Sequence, residues 1–220
     1  MVRKNLTTAF PDKDEKEIVS IEKGYYHWLC DYFVEALKLL SVSDKTLLKH
    51  IEFRNVEELE QHYDRGQTCA AILGHYCNWE LLSAIGLAFK RHKDAVCGLI
   101  YHPLRSDIFD ELFKDIRQSK GGVCIPKRDI LRYLVTYKRE KRMWLFGYIS
   151  DQSPKWSNIH LWLPFLNHDT PVFTGGERIM RKMNDAVFYV DMERPKRGKY
   201  ICTFRLVTDK PAELPENEIT

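Results

Sequence analysis

The sequence has no Cys-x-x-Cys pair, no run of about 18 uninterrupted apolar residues, no internal repeat and no linker long enough to mark two domains. Each absence removes a class. Without paired spacing, the six cysteines (Cys30, Cys69, Cys77, Cys97, Cys124 and Cys202) read as buried free thiols of a reducing compartment, not as a disulfide framework or a zinc site. Most lie in apolar runs such as Ala95-Val96-Cys97 and Val123-Cys124-Ile125. No His-Glu-x-x-His or second ligand cluster accompanies His75 and Glu80, so no metal is expected. No stretch is apolar enough to span a bilayer and no signal peptide precedes the first motif, so these residues read as soluble and cytosol-facing. An excess of one sign of charge is also missing: 34 Lys+Arg against 31 Asp+Glu gives +3. With no base-stacking array or reading motif, no nucleic-acid partner is expected.

What is present is a chain of 220 residues that is 44% hydrophobic, 12% aromatic and 30% charged, which excludes disorder and suits one α/β domain, or two at most. Ile18, Ile21, Tyr25, Trp28, Leu29, Tyr32, Phe33, Leu37 and Leu40 recur at three- and four-residue steps and predict a helix over 13–40. Asp12 and Glu15 suit a capping box at its start, behind Pro11. Its broad aromatic face either packs on the domain or touches lipid or a further membrane segment. Short helices follow over 43–50 and 56–65. Strands are then expected over 68–74, 95–101, 123–126, 143–150, 186–193 and 199–208, with helices over 78–93, 106–120, 129–142 and 176–184. Residues 151–174, with three prolines, read as irregular, and the polar tail 209–220 as having no closing element. Strands alternating with helices imply right-handed crossovers and a mainly parallel central sheet flanked by helices. The expected organisation is an N-terminal helical segment, 1–66, packed on an α/β core, 67–220.

The sharpest candidate site is Gly74-His75-Tyr76-Cys77-Asn78-Trp79-Glu80. It places His75 in the loop at the carboxyl end of a strand, where open α/β sheets bind ligands, with Asn78 as N-cap of the following helix. On one continuous helix His75 and Glu80 would be about 140° apart; a break at Asn78 lets them converge. A carboxylate on one imidazole nitrogen fixes the tautomer and leaves the other nitrogen as a general base. The plain alternative is a loop histidine and an exposed first-turn glutamate. Cys77 as a nucleophile is the weaker reading, since near neighbours in a loop rarely face one another.

These motifs, in order, resemble the bacterial lipid A late acyltransferases of lauroyl/myristoyl type, within the glycerolipid (lysophospholipid) acyltransferase superfamily. Arg3-Lys4-Asn5-Leu6 with Ala9-Phe10-Pro11 resembles the segment after that family's membrane anchor. His75-x4-Glu80 matches its catalytic block, and Tyr101-His102-Pro103-Leu104 resembles the next, where many members carry Arg in place of His102. Arg117 with Gly122, Asp151-Gln152-Ser153-Pro154, Leu163-Pro164-Phe165-Leu166 and Thr174-Gly175-Gly176 follow. The similarity runs from about residue 3 to 208.

The resemblance implies transfer of a fatty acyl chain from acyl-acyl carrier protein to a hydroxyl of an anionic lipid A precursor of Kdo-lipid A type. No cofactor is implied, because the donor thioester is already activated. His75 would be the base and Glu80 would orient it. Arg117 and Arg128 would stabilise the oxyanion or be solvated helix arginines. Asp151 would hold the acceptor sugar or structure the loop with Gln152. Gly175 and Gly176 would offer N–H groups to a phosphate, helped by Arg178, Arg181 and Lys182, or form a plain turn. The basic run from Lys127 to Arg142 reads as a solvated face or one that steers an acidic carrier protein or anionic headgroups. Lys196-Arg197-Gly198-Lys199 reads as a basic hairpin turn. The family's N-terminal anchor and a C-terminal stretch would lie outside these residues, at the cytoplasmic face of the bacterial inner membrane. The same motifs leave open acylation of a lysophospholipid or another glycolipid, a catalytically silent lipid-binding module, or a thioesterase.

Overall fold

The computed structural model describes residues 1–220. Seven strands form one sheet in the order β1-β9-β8-β2-β5-β3-β4. These are β1 (Ile51–Arg54), β2 (Cys69–Leu73), β3 (Val96–Tyr101), β4 (Val123–Pro126), β5 (Trp144–Ile149), β8 (Ala186–Lys196) and β9 (Lys199–Thr208). All neighbours are parallel except β8 and β9, an antiparallel hairpin. A separate two-stranded hairpin, β6 (Trp162–Phe165) and β7 (His168–Pro171), projects from the connection after β5. The expected α/β architecture with a mainly parallel, helix-flanked sheet is the one observed.

Alternation along the strands divides the core into two layers. Cys69, Ala71 and Leu73 of β2 face α4 (Val56–Asp64), a 3-10 segment over Trp79–Ala88 and α5 (Asp107–Gln118). Ala70 and Ile72 face α6 (Ile130–Arg139) and α7 (Gly175–Met183). Large side chains such as Trp144, Phe146 and Phe188 are fully buried between these layers.

Several local expectations shift, each for a visible reason. The first helix is two: α1 (Val2–Ala9) and α2 (Glu15–Lys38), separated by a turn at Pro11. The capping box uses Asp14 and Glu17, not Asp12 and Glu15: Asp14 accepts from the Glu17 N–H at 2.8 Å. Only Ile18, Tyr32 and Ala36 of α2 are buried, while Tyr25, Tyr26, Phe33, Val34 and Leu37 stay exposed. The helix expected over 78–93 is a tighter 3-10 segment that stops at Ala88. Beyond it, the buried Glu60 carboxylate accepts the N–H groups of Lys90, Arg91 and His92, and chain held that way cannot continue a helix. Cys30 is exposed, unlike the other thiols. The C-terminal tail folds back on α7, where Glu177 accepts the N–H groups of Asn217 and Thr220 and Ile219 is buried.

Candidate active site

β2 and β5 are adjacent and parallel, and their onward connections leave in opposite directions, one toward β3 and the other toward β8. Such a switch point opens a crevice at the carboxyl ends of the two strands. His75 follows β2 and Asp151 follows β5, so the two meet there. The ring Nδ1 lies 2.7 Å from Asp151 Oδ1, and the His75 backbone N–H donates to Oδ2 of the same carboxylate at 2.7 Å. A carboxylate only accepts, so Nδ1 carries the proton and Nε2 is left with a free lone pair. Gly74 makes the approach possible: a Cβ there would sit 3.1 Å from Asp151 Oδ2. Both side chains are partly open to solvent. Trp79 and the imidazole meet edge to face, with ring centroids 4.8 Å apart.

Glu80 lies elsewhere. Its carboxylate is fully buried and accepts two bonds from Arg117, Nε at 2.8 Å and Nη2 at 2.7 Å, and one from the Tyr32 hydroxyl at 3.2 Å. The group that orients the His75 ring is therefore Asp151 and not Glu80. Two residues after His75, Cys77 adopts a left-handed φ of 53°, and this turn sends Glu80 inward. Burial of the Arg117 guanidinium works to lower its pKa, but the Glu80 carboxylate outweighs that and raises it. Burial, then the adjacent carboxylate, pushes the Tyr32 hydroxyl well above its ordinary value. Tyr32 also stacks on Trp79 at 4.5 Å, so the buried node and the His75 loop share one aromatic wall. Tyr32 and Trp79 are functional candidates that the sequence hides, because an aromatic on an apolar helix face reads as core.

The remaining expected residues divide. Arg117 is at the node and committed to Glu80. Arg128 is 86% exposed and reaches only Asp129. Gln152 is exposed beside Asp151. Gly175 and Gly176 open α7, where Gly176 packs on Tyr148 so closely that a Cβ would come within 3.1 Å of the ring. The pair thus fits helix to strand. Arg178 is exposed near Glu216, and Arg181 turns away to bond the Leu214 and Pro215 carbonyls. Asn78 caps with no side-chain bond and donates to Glu35 instead, at 3.0 Å. Cys77 is no nucleophile candidate: its sulfur is buried toward the Met192 carbonyl, and burial pushes the thiol pKa up. The basic run splits with α6, leaving Lys127, Arg128 and Arg132 at the end of the sheet that carries His75 and Lys138 to Arg142 at the opposite end.

This arrangement supplies a base held in one tautomer beside an open crevice, which suits removal of a proton from a hydroxyl or water. A protein-family model described as bacterial lipid A biosynthesis acyltransferase matches residues 1–214. No curated protein matches the chain.

Proposed function

The chain belongs to the bacterial lipid A biosynthesis acyltransferase family, and from that premise we propose that it moves a fatty acyl chain from acyl-acyl carrier protein to a hydroxyl of a Kdo-bearing lipid A precursor, with His75 as general base. The observation that carries the reading is the 2.7 Å contact from His75 Nδ1 to Asp151 at the sheet's switch point. Nε2 takes the proton of the acceptor hydroxyl as its oxygen attacks the thioester carbonyl. Asp151 holds Nδ1–H and stabilises the imidazolium that forms. When the tetrahedral intermediate collapses, the C–S bond breaks, and the departing thiolate receives the proton from Nε2. No acyl-enzyme intervenes.

The oxyanion needs fixed donors. With Arg117 committed to Glu80, the candidates are the backbone N–H groups of Tyr76 and Cys77, which directly follow His75 and make no hydrogen bond within the chain. Glu80 serves as a positioning residue: through Arg117 and Tyr32 it fixes the Trp79 wall against which the imidazole rests. Lys127, Arg128 and Arg132 offer an acidic carrier protein a docking edge beside the crevice. No helix is long and apolar enough to cross a membrane. The acceptor is a lipid, so the reaction runs at a bilayer surface, the cytoplasmic face of the inner membrane.

The test is a product assay by mass spectrometry with acyl-acyl carrier protein and either a Kdo-bearing lipid A precursor or a lysophospholipid. The expected result is a gain of one acyl chain on the lipid A precursor, reduced about 10²–10⁴-fold in His75→Ala. A gain confined to the lysophospholipid would keep the mechanism and move the acceptor. Undiminished turnover in His75→Ala would remove the base.

A further inference from the structure

We propose that the cleft between α2 and the β8–β9 turn binds a phosphate ester on the headgroup of the acceptor; the assignment rests on the reading that the acceptor is an anionic glycolipid. The cleft has a volume of about 630 Å³ and is lined by His27, Cys30, Asp31, Arg194, Lys196 and Arg197. That size falls among small-ligand clefts, roughly 300–1,000 Å³, but five of its six lining residues are polar or charged.

Its charge is unbalanced. Three cations, Arg194, Lys196 and Arg197, face two carboxylates, Asp31 in the lining and Glu35 beside it, which leaves an excess of one positive charge. Asp31 is saturated: Arg197 donates through Nε and Nη2, at 3.1 and 2.7 Å to Oδ1, and Arg194 donates to Oδ2. These bonds hold the Asp31 carboxyl below its ordinary pKa, so it stays ionised. The Arg194 Nε–H is buried without an acceptor, and the side chains of Lys196 and His27, both in the lining, make no hydrogen bond or ion pair within the chain. Glu35, one turn further along α2, is turned to Asn78 and the Tyr200 hydroxyl. A structural tie between hairpin and helix would need one arginine on Asp31. Asp31 holds both arginines in their charged form and leaves the Lys196 ammonium and the Arg194 Nε–H free to donate, and a forked guanidinium with a neighbouring ammonium suits phosphate.

The position ties the cleft to catalysis. β8 runs parallel to β2, so Arg194 and Lys196 lie at the end of the sheet that carries His75. The Met192 carbonyl accepts from Cys77 Sγ at 3.8 Å, which sets Arg194 two residues from the catalytic loop. An acceptor phosphate held here would bring a nearby sugar hydroxyl toward Nε2.

The test uses the full chain carrying Lys196→Ser with Arg197→Ser, both solvent-facing positions that leave the Arg194–Asp31 pair intact. With a phosphorylated acceptor, KM is expected to rise about tenfold or more, the loss of a charge-assisted hydrogen bond, with kcat unchanged; with the dephosphorylated acceptor neither moves. An equal rise for both acceptors would overturn the subsite and make these cations a general attraction to the bilayer. A second arm needs no catalysis: broadening of the phosphorus resonance of glucosamine 1-phosphate by the unmodified protein, lost in the variant, supports the cleft. Broadening unaffected by the substitutions overturns it, as does binding of inorganic phosphate with none of the sugar phosphate. Absence of acyl transfer alongside intact sugar-phosphate binding would strike the proposed function and spare the cleft.

Discussion

Two carboxylates stand near the end of β2 and are used in opposite ways. Asp151 is half-exposed, pairs with no lysine or arginine and divides its oxygens between the imidazole and the backbone N–H of His75. Glu80 is sealed in the interior against a two-pronged arginine and a tyrosine hydroxyl. A partly hydrated carboxylate can exchange a neutral ring for a cationic one during a reaction without large reorganisation of its surroundings. A buried Glu–Arg pair does the reverse: it is locked in charge, and disturbing either member strands the other in low dielectric. On the proposed mechanism the crevice carries chemistry at small structural cost, and the node beneath it carries rigidity.

The largest effect that would break this division is on rate. Asp151→Asn keeps the shape, but an amide that donates to Nδ1 favours the wrong tautomer, and the same change in a serine-protease triad costs about 10⁴-fold. The expected outcome is a fall in turnover of about 10²–10⁴-fold with the melting temperature nearly unmoved, checked by the acyl-transfer assay and calorimetry on one preparation. Glu80→Gln should show the opposite balance, a lower melting temperature and a smaller loss of rate. Equal, large losses of rate in both at unchanged melting temperature would erase the distinction and return Glu80 to the reacting centre.

Next in size is stability at the node. Arg117→Met leaves Glu80 buried without its cation, a change that typically costs about 3–5 kcal/mol, or a fall of about 6–20 °C in melting temperature for a chain of this size. Adding Glu80→Gln removes the stranded charge while keeping an acceptor for Tyr32, so the double variant should recover much of the loss. Additive losses in thermal melts of the four proteins would mean that the two side chains are not energetically coupled, and the node would then be a coincidence of packing.

How far the sequence foretold this depends on the range of the interaction. The central strands β2 to β5 and the β8–β9 hairpin were legible because short apolar runs bounded by polar turns leave few alternatives. β1 was not, since Ile51-Glu52-Phe53-Arg54 is a four-residue edge strand that reads as a loop. β6 and β7 were hidden by Pro164 and Pro171, which an exposed hairpin tolerates and a central strand would not. His75 and Asp151 each directly follow an expected strand, yet the bond between them, across 76 positions, left no local mark. Glu80, five residues away, was the nearer carboxylate and took its place in the expectation. What redirected it was the left-handed turn at Cys77 and an arginine 37 residues distant, neither of which spacing alone encodes.

A third carboxylate sharpens the comparison. Asp185, at the start of β8 and so at the opposite end of the sheet, is as buried as Glu80 but has no cation. It accepts from the Thr68 hydroxyl at 2.5 Å and the Trp144 indole at 3.0 Å, and its Oδ2 has no partner. Burial, only partly opposed by those two bonds, pushes its pKa up to about 7. The folded chain thus holds this proton more tightly than the unfolded chain, whose carboxyl titrates near 3.8. The stabilisation is fully present below that value and is lost as pH rises through about 7. Over that window one proton changes stability by about 1.4 kcal/mol per pH unit. Asp185→Asn, which cannot ionise, should remove this slope: in urea unfolding at pH 5 and at pH 7.5, the unmodified protein loses on the order of 1–3 kcal/mol more than the variant. Parallel declines would mean that Asp185 is ionised in the fold, and that a hydroxyl and an indole suffice for a buried carboxylate where Glu80 is given an arginine.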